Sequence, residues 1–228
     1  MEFKHPTATL SKNVRIGKNV FIGPNCIIGF PGFQFSTSVQ NEVKDHYTEI
    51  GDNSIVMGNS VICLGAKIDN NCRFDYHSYI GEKTLVGKYS VIEYGARVYD
   101  NVKIGEFCTI SGFICNNSII GENSIAQGDL LHKFKDVTVS EIEKSPEICK
   151  NVFVGRRALI IGGIKVAEGC YIAAGSVLTK NTEANIAYSG NPAQKNGRAP
   201  KSYIEGVSNF NKQRIENINE VISSYSWA

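Results

Sequence analysis

One of the four histidines in this 228-residue chain stands in a setting suited to proton transfer. His77 lies in the run FDYHSYIGEKTLVG, two residues after Asp75 and beside Tyr76. An imidazole with a pKa near neutrality can take a proton from an attacking amine or hydroxyl. Asp75, or Glu93 further along the chain, is the carboxylate that would orient the ring. Histidine also tolerates a left-handed backbone, so a corner residue without chemistry is the competing reading. A second pair, Asp129 and His132, occurs in QGDLLHKFKD at the mouth of a late insertion, where the array is expected to end for a while. A loop histidine beside two lysines is, on its own, more often just solvated.

The elements that carry these residues are set by a six-residue beat. From Ile50 the aliphatic slot recurs at Val56, Ile62, Ile68, Phe74, Ile80, Val86, Ile92, Val98, Ile104 and Ile110. Leu10, Ile16, Ile22 and Ile28 keep the same step earlier; Ile114, Ile120 and Ala126 resume it after a slip, and Ile148 to Leu178 complete it. A fixed short period of this kind is the signature of a parallel β-helix, whose hexads bury their apolar residues only by stacking coil on coil. Four places after each aliphatic slot comes a small inward residue, such as Cys26, Ser54, Ser60, Ala66, Cys72, Ser78, Ser90, Ala158 or Ser176. The residue before it is usually Asn or Gly, including Asn13, Asn19, Asn25, Asn53, Asn59, Asn71, Gly163 and Gly175, the types that accept a left-handed corner.

Two insertions interrupt the array, at 30–49 and 132–147. From 201 to 223 the spacing of Val207, Phe210, Ile215, Ile218 and Ile222 predicts an α-helix that caps the open end of the solenoid or braces a trimer. The expected division is a β-helical domain over 1–194 and a tail with its helix over 195–228.

Net charge is +2, so no bulk electrostatic signal calls for nucleic acid or an anionic membrane. The amino-terminal residues lack an apolar signal region and no stretch has the length of a membrane span, which makes a cytoplasmic location the expectation. Seven cysteines without a C-x-x-C pair are expected to be buried free thiols of a reducing compartment, with no metal bound.

With the opening HPTATLSKNVRIG and the closing VAEGCYIAAGSVLTKNTEANIAYSGNPAQ, the hexads resemble the left-handed β-helix hexapeptide-repeat acyltransferases, and most of all the N-acetyltransferases of nucleotide-linked 3-amino sugars. The resemblance implies an all-β, left-handed parallel β-helix that assembles as a homotrimer, with acetyl-coenzyme A as co-substrate and active sites between subunits. It implies an acetyl transfer to a dTDP- or UDP-linked amino-deoxy sugar of surface-polysaccharide synthesis, such as that of O-antigen. On this reading His77 is the base, assisted by Asp75 or Glu93, while Asp129 or His132 contacts the acceptor. Ser78 stands where the family often has an orienting carboxylate or amide.

The resemblance also implies that Ala158, Ala173, Ala174, Gly175, Ser176, Lys180, Asn191, Pro192, Lys195 and Arg198 border the coenzyme. Small residues let a thin acyl-pantetheine arm lie against backbone, and a lysine meets phosphate as a point charge. Phe33, Phe35, Tyr47 and Tyr76 are candidates to receive the sugar nucleotide, the aromatics either stacking on its base or pinning their loop to the helix flank. An O-acetyltransferase of the same fold and a non-catalytic scaffold are the alternatives. A γ-class carbonic anhydrase is set aside, because the four histidines lack that family's close spacing.

Overall fold

The computed structural model describes residues 3–32, 47–133 and 144–200, together with Ser202, Phe210, Asn211, Gln213 and Glu216. The chain winds as a left-handed parallel β-helix with three flat faces, each hexad supplying one short strand. The first face begins at Phe3–Lys4, the second at Thr9–Leu10 and the third at Val14–Ile16. Within each face strands pair in parallel with those one coil away; Arg73 faces Val91 and Phe74 faces Ile92, for example. The aliphatic slots form one continuous column, in which Ile22, Ile28, Ile62, Phe74, Ile80, Ile92, Ile110 and Ile114 are all essentially inaccessible to solvent. No single hexad encloses these residues, so the column is a property of stacking.

The corners adopt the left-handed backbone that the asparagines anticipate. Positive φ occurs at Asn19, Asn25, Asn53, Asn59, Asn71, Asn101, Asn117, Asn123 and Asn151, and at Gly95, Gly169 and Gly175. Asn13 does not join them, and the glycine with positive φ near 163 is Gly162. Stacked corners also bond sideways: Asn19 Nδ2 donates to Asn53 Oδ1 at 3.2 Å, and Asn123 Nδ2 to Asn151 Oδ1 at 2.7 Å. Five residues that are neither Asn nor Gly occupy the same strained region, His77, Lys83, Tyr89, Phe107 and Arg157. For Tyr89 and Phe107 a compensating contact is evident, since their rings stack 5.2 Å apart and nearly parallel.

The small inward slot does more than fit a narrow corner. Ser90 Oγ donates to the carbonyl of Gly105 at 2.9 Å and accepts the Cys108 N–H at 3.0 Å; Ser54 and Thr84 make the same two bonds on their own coils. Each hydroxyl thus satisfies a donor and an acceptor that the turning backbone leaves unpaired inside the column.

Both insertions leave from the edge between the second and third faces. The first departs after Ile27–Phe30 and returns at Thr48–Ile50, and the second departs after Asp129–Leu131 and returns at Glu147–Ile148. Five strand spacings separate their roots, roughly 24 Å. At the start of the first insertion the Gly32 N–H donates to the Glu82 carboxylate at 2.7 Å, so this segment passes over one coil to reach the next.

Three expectations change. Strand pairing continues beyond 194, because Ile186–Gly190 turns back on Ala193–Arg198 as an antiparallel hairpin at the end of the first face. Asp129 does not leave the array: Asp129–Leu131 is a strand paired with Leu159–Ile161. The described C-terminal residues are helical, but Asn211 is not at the open end. It is buried on the flank of the first face, where Nδ2 donates to the carbonyls of Phe107 and Cys108 and Oδ1 accepts from the Thr109 hydroxyl at 3.0 Å. Outward-facing Ile55 and Val91 on that face are likewise buried.

Candidate active site

His77 lies at the edge between the first and second faces. Its corner is the turn from Arg73–Phe74 to Tyr79–Ile80, and its φ of 60° turns the exposed side chain away from the column. The corner one coil on carries Tyr94, 66% exposed, whose ring meets the imidazole edge to face with centroids 5.5 Å apart. Asp75 does not hold the ring by a hydrogen bond. Its carboxylate accepts the Tyr76 N–H at 2.9 Å and pairs with Arg73 at 3.5 Å. The His77 contact that the structure provides is therefore aromatic, a role for Tyr94 that sequence reasoning missed.

Beyond Tyr94 this edge is cut back. Val91 pairs with Thr109 eighteen residues on, whereas Thr109 pairs with Ile125 only sixteen on. The missing pair of residues is the protruding corner: Ile110 reaches Ile114 through Ser111, Gly112 and Phe113 alone. The same happens one coil later, where Ala126 reaches Leu130 through Gln127, Gly128 and Asp129. Glycine is required at both places by close approach. A Cβ on Gly112 would lie 1.9 Å from the Gly128 carbonyl oxygen, and one on Gly128 2.3 Å from that of Ala158. Asp129 has a local task at the shortened corner, its Oδ1 accepting the Phe113 N–H at 2.8 Å.

The two cut-back coils leave a cleft of about 390 Å³. Asp75, Glu93 and Tyr94 stand on one side, Arg156 and Arg157 on the other, with Ser111 and Gln127 between them. His77 does not line this cleft directly; it adjoins it through Tyr94. Two x-Gly-x steps of four residues, SGF and QGD, are the sequence signal for the notch.

Further along the same edge are Ala173, Ala174 and Gly175, an open strip in which a Cβ on Gly175 would meet nothing within 4 Å. Lys180 is exposed nearby in the chain, as are Asn191 and Pro192. Ala158 and Ser176 are buried in the column instead, so no ligand reaches their side chains. Lys195 is ion-paired with Glu183, and Arg198 is exposed on the terminal hairpin. The strip at this edge is lined by small side chains, and Lys180 follows the next strand, Val177–Leu178.

Several candidates lie elsewhere. His132 follows the strand Asp129–Leu131 at the root of the second insertion, on a different edge from His77. Tyr47 packs beneath the Arg15 guanidinium at 3.9 Å from its ring centroid. Tyr76, by contrast, is exposed next to His77. Phe33 and Phe35 lie outside the described residues. The cysteines have no chemical partner of catalytic type; burial pushes the Cys63 thiol up to about 11 and those of Cys72 and Cys108 up to about 12. Among the described residues no helix is long and apolar enough to cross a membrane.

Two stretches of the repeats match known families: residues 145–180 match the bacterial transferase hexapeptide (six repeats), and residues 13–31 match the hexapeptide repeat of succinyl-transferase. A probable macrolide acetyltransferase of Lysinibacillus sphaericus is 31% identical over 109 residues, 42% of this chain and 58% of the relative. The serine acetyltransferase of Buchnera aphidicola subsp. Schizaphis graminum (strain Sg) is 32% identical over 104 residues, 43% of this chain and 36% of the relative. The chain thus spans less than two thirds of the length of each. Among solved structures, the UDP-N-acetylglucosamine O-acyltransferase of Moraxella catarrhalis RH4 shares the fold with a TM-score of 0.60 and 18% identity, over 97% of this chain and 85% of that one.

Proposed function

We propose that the protein is an acetyl-coenzyme A-dependent N-acetyltransferase acting on the amino group of a UDP- or dTDP-linked amino-deoxy sugar. The observation that carries this reading is the edge on which an exposed His77, in edge-to-face contact with Tyr94, stands next to a cleft bearing two carboxylates and two arginines.

In the proposed reaction the acceptor amine attacks the thioester carbonyl carbon directly. A C–N bond forms and the C–S bond then breaks, releasing the coenzyme as a free thiol. His77 takes the proton that the amine loses and returns it to the departing sulfur. A backbone N–H on the edge stabilises the oxyanion. An amine is already a good nucleophile toward a thioester, so holding the two substrates together supplies much of the acceleration. Ala173, Ala174, Gly175 and Lys180 border the coenzyme, and Asn191, Pro192 and Arg198 extend that border. The protein works as a homotrimer in the cytoplasm, supplying acetylated sugars for surface polysaccharide.

The test is release of free thiol from acetyl-coenzyme A in the presence of UDP- and dTDP-linked 3-amino and 4-amino sugars. Release with one of these supports the reading. Release only with hydroxyl acceptors replaces it with O-acetylation, and failure to bind coenzyme A replaces it with a scaffold role.

A further inference from the structure

Arg156 and Arg157 have no place in the reaction as described, yet the fold gives them an unusual position. Neither guanidinium has an ion-pair or hydrogen-bond partner among the described residues. Both side chains are exposed and both line the cleft. Arg157 has a φ of 59°, in a slot that most coils fill with asparagine or glycine because other side chains are strained there. Nothing within the coil requires an arginine at this corner. The coils next to it are shortened by two residues each, at Gly112 and Gly128, which removes the corners that would otherwise stand between these guanidinium groups and Tyr94.

We propose that Arg156 and Arg157 form a diphosphate-binding subsite at the wall of the cut-back cleft. Two adjacent planar forks with accessible donors match the oxygens of a diphosphate, and the cleft gives them a partly enclosed setting. The inference rests on the acyl-transfer reading for the origin of the ligand, because coenzyme A and a nucleotide-linked sugar both carry a diphosphate. Asp75 and Glu93 on the opposite side disfavour an anion there, which fixes the orientation: the diphosphate lies toward Arg156 and Arg157, and uncharged or cationic parts of the ligand lie toward Tyr94.

The experiment is calorimetric titration of the full chain with coenzyme A, with UDP and with inorganic pyrophosphate, using the wild type, R156Q/R157Q and R157N. Arg157→Asn gives the corner the residue that its neighbours use, so it tests the charge without risking the fold. The expected result is at least tenfold weaker binding of coenzyme A or of UDP to R156Q/R157Q, with a smaller loss for R157N. Loss for coenzyme A alone assigns the subsite to the acyl donor, and loss for UDP alone assigns it to the acceptor. Loss confined to pyrophosphate, in a protein that releases no thiol from acetyl-coenzyme A, leaves the subsite standing and removes the acyl-transfer reading. Equal affinities in wild type and variants, or no binding of any of the three by the wild type, would overturn the proposal, and thiol release that persists unchanged would then show that the failure is the subsite's alone.

Discussion

His77 and Tyr94 occupy successive corners of one edge of the β-helix, and their rings meet edge to face at an interplanar angle of 73°. The imidazole thus meets an aromatic ring one coil away, where the sequence points to a carboxylate, Asp75 or Glu93, as the orienting group. Asp75 is committed to the Tyr76 amide and to Arg73.

Tyr94→Ala should therefore lower kcat by about tenfold while leaving the affinity for acetyl-coenzyme A close to that of the wild type. Aromatic pairs of this geometry are worth about 0.5–1.5 kcal/mol, so thermal unfolding should shift little. Tyr94→Phe keeps the ring and should restore kcat. A kcat unchanged by Tyr94→Ala would remove the positioning role.

The notch predicts where alanine is intolerable. Gly112→Ala and Gly128→Ala each drive a Cβ into backbone carbonyl oxygen, at 1.9 and 2.3 Å. Each should cost more than about 3 kcal/mol in urea unfolding. Gly175→Ala has open space around it and a φ of 70°, so only the backbone penalty of about 1–2 kcal/mol applies. Equal costs at all three sites would contradict the close approach.

Buried hydroxyls and the docked amide make a second set. Ser90→Ala leaves the Gly105 carbonyl and the Cys108 N–H without their partner and should destabilise by about 1–3 kcal/mol. Asn211→Ala removes three bonds between the C-terminal helical residues and the first face. Limited proteolysis should then cleave after residue 200 faster than in the wild type while the solenoid stays intact.

The thiols give a pH dependence with a definite sign. Burial holds Cys63 at about 11 and Cys72 and Cys108 at about 12, above the ordinary value of 9.0. The folded state thus favours the protonated form. Stability from this source is complete below the unfolded value near 9 and falls as pH rises from about 9 toward 11 and 12. Urea midpoints should decline over that range and recover part of the loss in Cys72→Ser or Cys108→Ser, each compared with its own value at pH 8. In the native protein at pH 8 these three thiols should resist thiol-reactive dyes.

Much of this molecule is legible in its sequence because a hexad beat states the register outright. The strand at Arg73–Phe74 and its partners follow from the slots at Val56, Phe74 and Ile92, and the asparagine corners follow from backbone sterics. The notch was only half legible. The slip between Ile110 and Ile114 is visible, but its twin between Ala126 and Leu130 is hidden by the insertion that begins just after, which is why Asp129 read as a loop residue. The serines read as space-fillers because spacing gives volume and says nothing about which carbonyl a hydroxyl meets one coil away. The helical spacing after 200 marks an amphipathic segment, while its docking at Thr109 depends on an amide bonding to a coil some hundred residues earlier. Tyr94 was missed for the same reason: its partner lies across coils.

The most direct measurement is kcat/KM for thiol release by His77→Asn, a substitution that gives the corner the residue most other coils use and so preserves the fold. The account predicts a fall of about 100-fold or more with acetyl-coenzyme A and the accepted amino sugar, together with unchanged thermal stability and unchanged coenzyme binding. An unaltered kcat/KM in this variant would contradict the assignment of His77 as the base.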